Sequence, residues 1–229
     1  MRMASDFLIL AGGRISQVVI LLITTRIITS LLSPGQMGRF SIIYTAAGLF
    51  IALFINGASL YVERRLLEWK LEGTIIRNAV RFVGYLFLSG VAASIFILML
   101  QAAIGIDISP LWLIILVFSL VFITNLNGCF ISWLNIFKKR LWFIATSNLT
   151  LVSGLLVSIF LVVSFSKTAE YWIGGQILGQ IFLIAVGGLL FLRVIKTSKQ
   201  GERDTPVSHE SSMSAVFRFV LPLSLAYLV

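Results

Sequence analysis

Six stretches of the chain are apolar all round, and the polar residues collect in short gaps between them. The runs are Phe7–Leu32, Ser41–Val62, Phe82–Ile104, Leu111–Phe137, Phe143–Phe165 and Tyr171–Leu192. At about 1.5 Å rise per residue, roughly 20 mainly apolar residues cross the hydrocarbon core of a bilayer as one helix. Apolarity on every face, with glycine inside the runs, differs from the period-two alternation of membrane-barrel strands. The pattern therefore predicts an all-α integral membrane protein with six transmembrane helices. The first run extends over 26 residues, too long for the apolar region of a signal peptide, and is read as a retained helix.

The longest polar interruption follows the sixth run. Residues 194–214, with KTSKQGERDTPVSHESS at their centre, have the composition of a flexible cytoplasmic linker. A seventh apolar run, Ala215–Val229, has 15 residues and contains Pro222, which is too short to cross. The expected organisation is a six-helix lobe over 1–193, the linker over 194–214, and over 215–229 the truncated start of a seventh helix belonging to a second lobe.

Composition supports the membrane reading. Of the 229 residues 59% are hydrophobic and only 12% charged, and mean hydropathy is +1.02. Soluble domains carry about a quarter charged residues. A net charge of +9 would point a soluble chain toward nucleic acid, but topology accounts for these cations. Fourteen lie in alternate connections: Arg2; Arg64, Arg65, Lys70, Arg77 and Arg81; Lys138, Lys139 and Arg140; Arg193, Lys196, Lys199, Arg203 and Arg218. The opposite connections hold two, Arg39 and Lys167. Positively charged connections stay inside, which places the N-terminus in the cytoplasm and LSPGQMG, GIDISP and FSKTAE outside. Nucleic acid is not an expected partner. The connection Glu63–Arg81 mixes Leu66, Leu67, Trp69 and Leu71 with charges, and reads either as a short helix in the headgroup layer or as a solvated loop with a tryptophan anchor.

One cysteine, Cys129, and one histidine, His209, leave no disulfide framework and no Cys/His metal cluster. No cofactor or metal is expected. The chemistry lies instead in polar residues within the spans. Arg14 is about 10 Å deep in the first run, and Gln17, Leu21 and Thr25 fall within about 60° of it on the helical wheel. A charge there costs at least about 2.5–3.5 kcal/mol unless it finds protein, water or headgroups. Arg14 is either a cationic contact for an anionic cargo, its guanidinium matching phosphate oxygens, or a residue snorkelling to the headgroups. Arg26 is near the external end and reads mainly as an interfacial anchor, with cargo contact the weaker alternative.

In the fourth run Asn125, Gly128, Ser132 and Asn135 form a stripe about 80° wide, facing either an aqueous cavity or a neighbouring helix. Asn127 points elsewhere and reads as structural. In the sixth, Gly175 and Gly179 form a G-x-x-x-G pair suited to close helix packing, and Gln176 and Gln180, one turn apart, are candidate cavity donors.

Around the first external turn, RIITSLLSPGQMGRF (26–40), the chain resembles the Wzx-type polysaccharide and O-antigen flippases of the multidrug/oligosaccharidyl-lipid/polysaccharide exporter superfamily. Leu32, Ser33, Pro34, Met37, Gly38 and Phe40 fit the pattern of that turn, and Gln36 stands where an acidic residue is frequent. Asn56-Gly57-Ala58-Ser59 before Arg64-Arg65, and FRFVLPLSLAYL (217–228), are similar to further parts of the family. The resemblance implies one lobe of a two-lobe transporter in a bacterial cytoplasmic membrane. It implies alternating access, with a polyprenyl-diphosphate-linked oligosaccharide as cargo, and other polysaccharide-assembly proteins as partners beside the bilayer. It implies no covalent chemistry.

None of the nine acidic residues lies deep in a span. A cation-coupled exporter usually carries such a group, which counts against the multidrug branch. Alternatives of the same fold are an exporter of peptidoglycan precursors or of small amphiphiles. A membrane polysaccharide polymerase or ligase would be expected to carry a sizeable external loop with carboxylates, arginine and histidine, whereas the external connections here are a few residues long with Asp107 and Glu170 as their only acids.

Overall fold

The computed structural model describes residues 2–104 and 109–198, and every regular element among them is helical. The elements are α1 (Arg2–Leu31), α2 (Pro34–Phe50), α3 (Asn56–Leu71), α4 (Ile75–Ile104), α5 (Pro110–Ser119), α6 (Asn125–Ile136), α7 (Arg140–Ser164) and α8 (Ala169–Ser198). Two π turns, Ile51–Ile55 and Leu120–Thr124, join α2 to α3 and α5 to α6 without interrupting the rod. Six helices are long and apolar enough to cross a membrane: Leu8–Leu31, Pro34–Leu71, Ile75–Ala102, Pro110–Ile136, Arg140–Ser164 and Ala169–Arg193. This is the architecture of a multi-pass membrane protein. The linker beyond Ser198, His209, the seventh apolar run and Asp107 lie outside the described residues.

Two connections differ from their sequence reading. LSPGQMG is mostly helix: Pro34 opens α2, and the Met37 N–H bonds to the Ser33 carbonyl at 2.9 Å. Proline suits that position because its φ is already helical and its missing N–H has no acceptor to lose. Glu63–Arg81 is neither a separate surface helix nor a loop. α3 runs on to Leu71, a turn at Glu72–Thr74 reverses the chain, and α4 starts at Ile75. The inner face of this hairpin buries Val62, Leu66, Trp69, Ile75, Ala79 and Phe82. Of the four apolar residues that suggested an interfacial helix, Leu66 and Trp69 lie in this packing seam, while Leu67 and Leu71 are exposed.

Both α3–α4 and α6–α7 close with the same cap. Thr74 N–H bonds to Trp69 O at 2.9 Å and Gly73 N–H to Lys70 O at 3.2 Å; Lys139 N–H bonds to Leu134 O and Lys138 N–H to Asn135 O, both at 2.9 Å. Such a cap needs one left-handed residue, and it is Gly73 (φ 71°) in the first turn but Lys138 (φ 58°) in the second.

The helices pack as two compact units. Unit 1 holds α1, α2 as far as Tyr44, α6 from Phe130, α7, and α8 as far as Leu190. Here α7 and α8 approach closely: a Cβ on Gly175 would stand 2.3 Å from Ser158 Cα, and one on Gly179 2.6 Å from the Gly154 backbone nitrogen. The G-x-x-x-G pair of α8 therefore meets Gly154 and Ser158 on α7. Ser158 Oγ donates to Trp172 O at 2.8 Å and Ser153 Oγ to Gly179 O at 3.0 Å across the same contact. Ile28, Leu32, Val162 and Trp172 form the core at the Pro34 end, with Met37 and Phe40 against it.

Unit 2 holds the chain from Thr45 through α3, α4, α5 and α6 as far as Cys129, with α8 from Phe191. It packs through rings. Phe87 meets Phe118 and Phe122 edge-on at 5.3 and 5.7 Å, and Phe118 stacks on Phe122 at 5.5 Å. Gly90 gives Phe118 its place, since a Cβ there would stand 3.0 Å from the ring. Both π turns belong to this unit. Tyr85 Oη donates to the carbonyl of Phe54 in the first turn, and Asn125 Nδ2 donates to Val121 O in the second at 2.7 Å. In the first of these π turns the backbone register is shifted, with Asn56 N–H bonded to Ile51 O.

Candidate functional site

The site grows from the contact between α1 and α7, which run parallel in unit 1. Gly13 removes a side chain where Ile144 comes within 2.7 Å of a would-be Cβ, so the two helices meet at this level. Gln17, 7% exposed, points into the contact and its Nε2 donates to Ser147 Oγ at 2.8 Å. Arg14 donates from a guanidinium nitrogen to Gln17 Oε1 at 3.0 Å, and its Cζ lies 5.6 Å from the centre of the Phe143 ring. Beside this chain runs a second one: Asn148 Nδ2 donates to Ser16 Oγ at 2.8 Å, and Ser16 Oγ donates to Gly13 O at 2.7 Å.

The directions of these bonds fix the amides. Arginine has no acceptor, so Gln17 must offer it Oε1 and turn Nε2 to Ser147. Ser16 spends its proton on Gly13 O, so Asn148 must give Nδ2. Asn148 Oδ1 is left buried without a partner.

Arg14 itself is exposed, and one bond to Gln17 leaves most of its five N–H donors available. Gln17 and the Phe143 face hold the guanidinium over the helix pair, and a neighbouring ring favours a cation electrostatically. The arrangement can accept an anion from the open side of α1, with the cation already oriented.

The sequence candidates separate accordingly. Arg14 and Gln17 come together. Thr25 is exposed some three turns away, and its hydroxyl donates to Leu21 O of its own helix at 2.9 Å. Arg26 is exposed near the Pro34 end. On α6, Asn125 and Ser132 are half-buried, Asn135 and Gly128 are exposed, and Asn127 is buried. The stripe thus faces at least partly outward, while Asn125 is engaged with the π turn. On α8, Gln176 Oε1 accepts from Tyr44 Oη, and Gln180 Oε1 is buried without a partner.

Ser16, Ser147, Asn148 and Phe143 were not legible as site residues. The polar run Thr146-Ser147-Asn148 in an apolar span was the available signal. Gln36 also has a role the sequence did not show: its Oε1 accepts the Ala169 N–H at 2.9 Å and caps the first turn of α8.

Neither a protein-family model, nor a curated protein, nor a solved structure matches this chain. Among the described residues no group of three His, Cys, Asp or Glu is placed to hold a metal ion.

Proposed function

We propose that the chain is part of a membrane transporter that moves an anionic, lipid-linked cargo. Within that class the reading favoured by the resemblance of residues 26–40 is a polyprenyl-diphosphate-linked oligosaccharide, flipped by alternating access from the cytoplasmic to the outer leaflet of a bacterial cytoplasmic membrane. On this reading the N-terminus is cytoplasmic and the protein acts without covalent chemistry.

The observation that carries the proposal is Arg14. A guanidinium in a helix of spanning length is costly, and here it is oriented by Gln17 and Phe143 while its remaining donors stay open. A diphosphate offers several oxygens to such a fork, and the bonds are charge-assisted. Leu8, Ile15, Val18, Leu21 and Leu22 along α1 are exposed and apolar, a surface that suits a polyprenyl chain.

The test is Arg14→Ala and Arg14→Lys in the full-length protein, followed by surface-polysaccharide export and membrane insertion. Both variants are expected to insert normally and to lower export, alanine by tenfold or more, since a charge-assisted hydrogen bond is worth about 1.5–3 kcal/mol. Lysine keeps the charge but loses the planar fork, so it restores only part. Normal export by both variants overturns the assignment.

A further inference from the structure

We propose that Arg77 and Arg81 on α4 form a binding site for the headgroup of an anionic glycerophospholipid. The first observation is angular. Over α4 the exposed positions Ile76, Arg77, Val80, Arg81, Gly84, Phe87, Leu88, Val91, Ile95 and Met99 lie within an arc of about 140°, which Ala92 and Phe96 widen to about 200°. The upper part of this stripe is purely apolar and exposed, on a helix long and apolar enough to span a membrane, which suits hydrocarbon. Arg77 lies directly in line with Ile95, and Arg81 with Met99. The arginines therefore stand on the lipid-facing side, where hydrocarbon gives way to headgroups, and not on the side turned to protein.

The second observation is pairing. On the same hairpin Arg65 has an ion pair with Glu68 at 3.3 Å and lies over the Tyr61 ring at 5.7 Å, and Arg64 and Lys70 also have partners. Arg77 and Arg81 are exposed and make no hydrogen bond or ion pair with the described residues. They sit one turn apart, so two guanidinium forks point the same way from neighbouring levels of one helix. Guanidinium matches phosphate oxygens two at a time, which an ammonium does not.

The third observation is shape and rigidity. Gly84, one turn further along the stripe, has no atom within 4 Å of where a Cβ would stand, so the backbone is open to the glycerol region of a lipid. Ile76 and Val80, 49% and 66% exposed, flank the arginines with apolar surface for the upper acyl chains. The hairpin end is fixed: Asn78 Nδ2 donates to Thr74 Oγ1, Thr74 Oγ1 donates to Glu72 Oε2, both at 3.2 Å, and Leu66, Trp69 and Ile75 are buried beneath. The backbone that carries the cations is thus a packed element, ordered before binding.

The site is independent of the cargo reading, because it lies in unit 2, on the lipid-facing stripe of α4, and Arg14 is in unit 1. The experiment uses the purified full chain reconstituted with equal amounts of phosphatidylglycerol and phosphatidylcholine, re-extracted in detergent and weighed by native mass spectrometry. The wild type is expected to retain phosphatidylglycerol in preference to phosphatidylcholine. Each basic residue beside an anionic headgroup contributes about fivefold, so Arg77→Gln/Arg81→Gln is expected to lower the phosphatidylglycerol-bound fraction about thirtyfold. Lys138→Gln/Lys139→Gln removes the same charge from exposed residues of a turn and is expected to change it less than twofold. Phosphatidylglycerol should raise the unfolding temperature of the wild type and not of the arginine variant, whose lipid-free unfolding temperature is unchanged. Glycerol phosphate at millimolar concentration should not displace the lipid. Equal losses for the two charge pairs, a loss under twofold for the arginine pair, no lipid preference, or full displacement by glycerol phosphate would each overturn the proposal.

Discussion

The two units solve the same packing problem with different emphasis. In a bilayer the hydrophobic effect does not drive one helix onto another, so association rests on fit, hydrogen bonds and close backbone approach. Unit 1 brings backbones together at Gly175 and Gly179 and ties its helices with serine, asparagine and glutamine. Unit 2 fits phenylalanine rings against Gly90 between closely packed helices, with Ser94 Oγ donating to Ile114 O at 3.3 Å across the same contact, and it carries both π turns. The difference matters for chemistry: at Arg14 a polar tie from Gln17 and the face of Phe143 act together to orient a cation, whereas the Phe87, Phe118 and Phe122 rings meet only one another.

The largest expected effect lies at the close contact. Gly175→Ala places a methyl against the Ser158 backbone, and neither helix can yield locally. The variant is expected to lose about 3 kcal/mol, at the upper end of the overpacking range, read as denaturant unfolding in detergent. Unchanged stability would show that unit 1 is not held by backbone approach.

Next is the ring cluster of unit 2. Phe118→Ala removes contacts with Phe87, Phe122 and Gly90, but the ring is only half-buried. A loss of about 2 kcal/mol is expected, below the value for a fully buried ring. If Gly175→Ala and Phe118→Ala are combined, additivity within about 0.5 kcal/mol is expected, since the sites share no partner.

Gln36 gives a smaller and more specific effect. Gln36→Leu leaves the α8 N-terminus uncapped and should cost about 1 kcal/mol. Gln36→Glu keeps an acceptor and adds a negative charge at a helix N-terminus, so it should be neutral or slightly stabilising, by up to about 0.5 kcal/mol. An equal loss for both variants would mean that the amide nitrogen of Gln36, which both variants lack, matters and that its Oε1 acceptor does not.

The smallest effects compare the two shared turns. Lys138→Gly relieves a left-handed residue and should stabilise by about 1 kcal/mol, whereas Gly73→Ala should destabilise by a similar amount. Opposite signs in thermal unfolding are the outcome that checks the assignment of the cap.

Much of the fold was legible, and the reason is local. A span must satisfy its backbone internally and be apolar on most faces, so length and composition locate it without knowledge of its neighbours. The turns were less legible. Residues 34–38 and 63–71 looked like connections because proline, glycine and charge are turn signals, yet each is helical, since proline fits a first turn and charge is tolerated on an exposed helical face. The π turns were not legible, because Ile51–Ile55 and Leu120–Thr124 are apolar like their surroundings and the irregularity lies in hydrogen-bond register.

The candidate site shows the same division. The sequence by itself determined that Arg14 is a cation inside a spanning run, and that Gly175 and Gly179 share a face. These follow from helical periodicity, which is a property of one segment. Tertiary structure alone decided that Gln17 holds Arg14 while tied to Ser147, that Asn148 reaches Ser16, and that Gln36 closes α8. The Gln17–Arg14 bond is one turn of a single helix, but the bonds of Gln17 to Ser147, Asn148 to Ser16 and Gln36 to Ala169 join residues about 130 positions apart, and no periodicity within one helix says which residue of another will meet it.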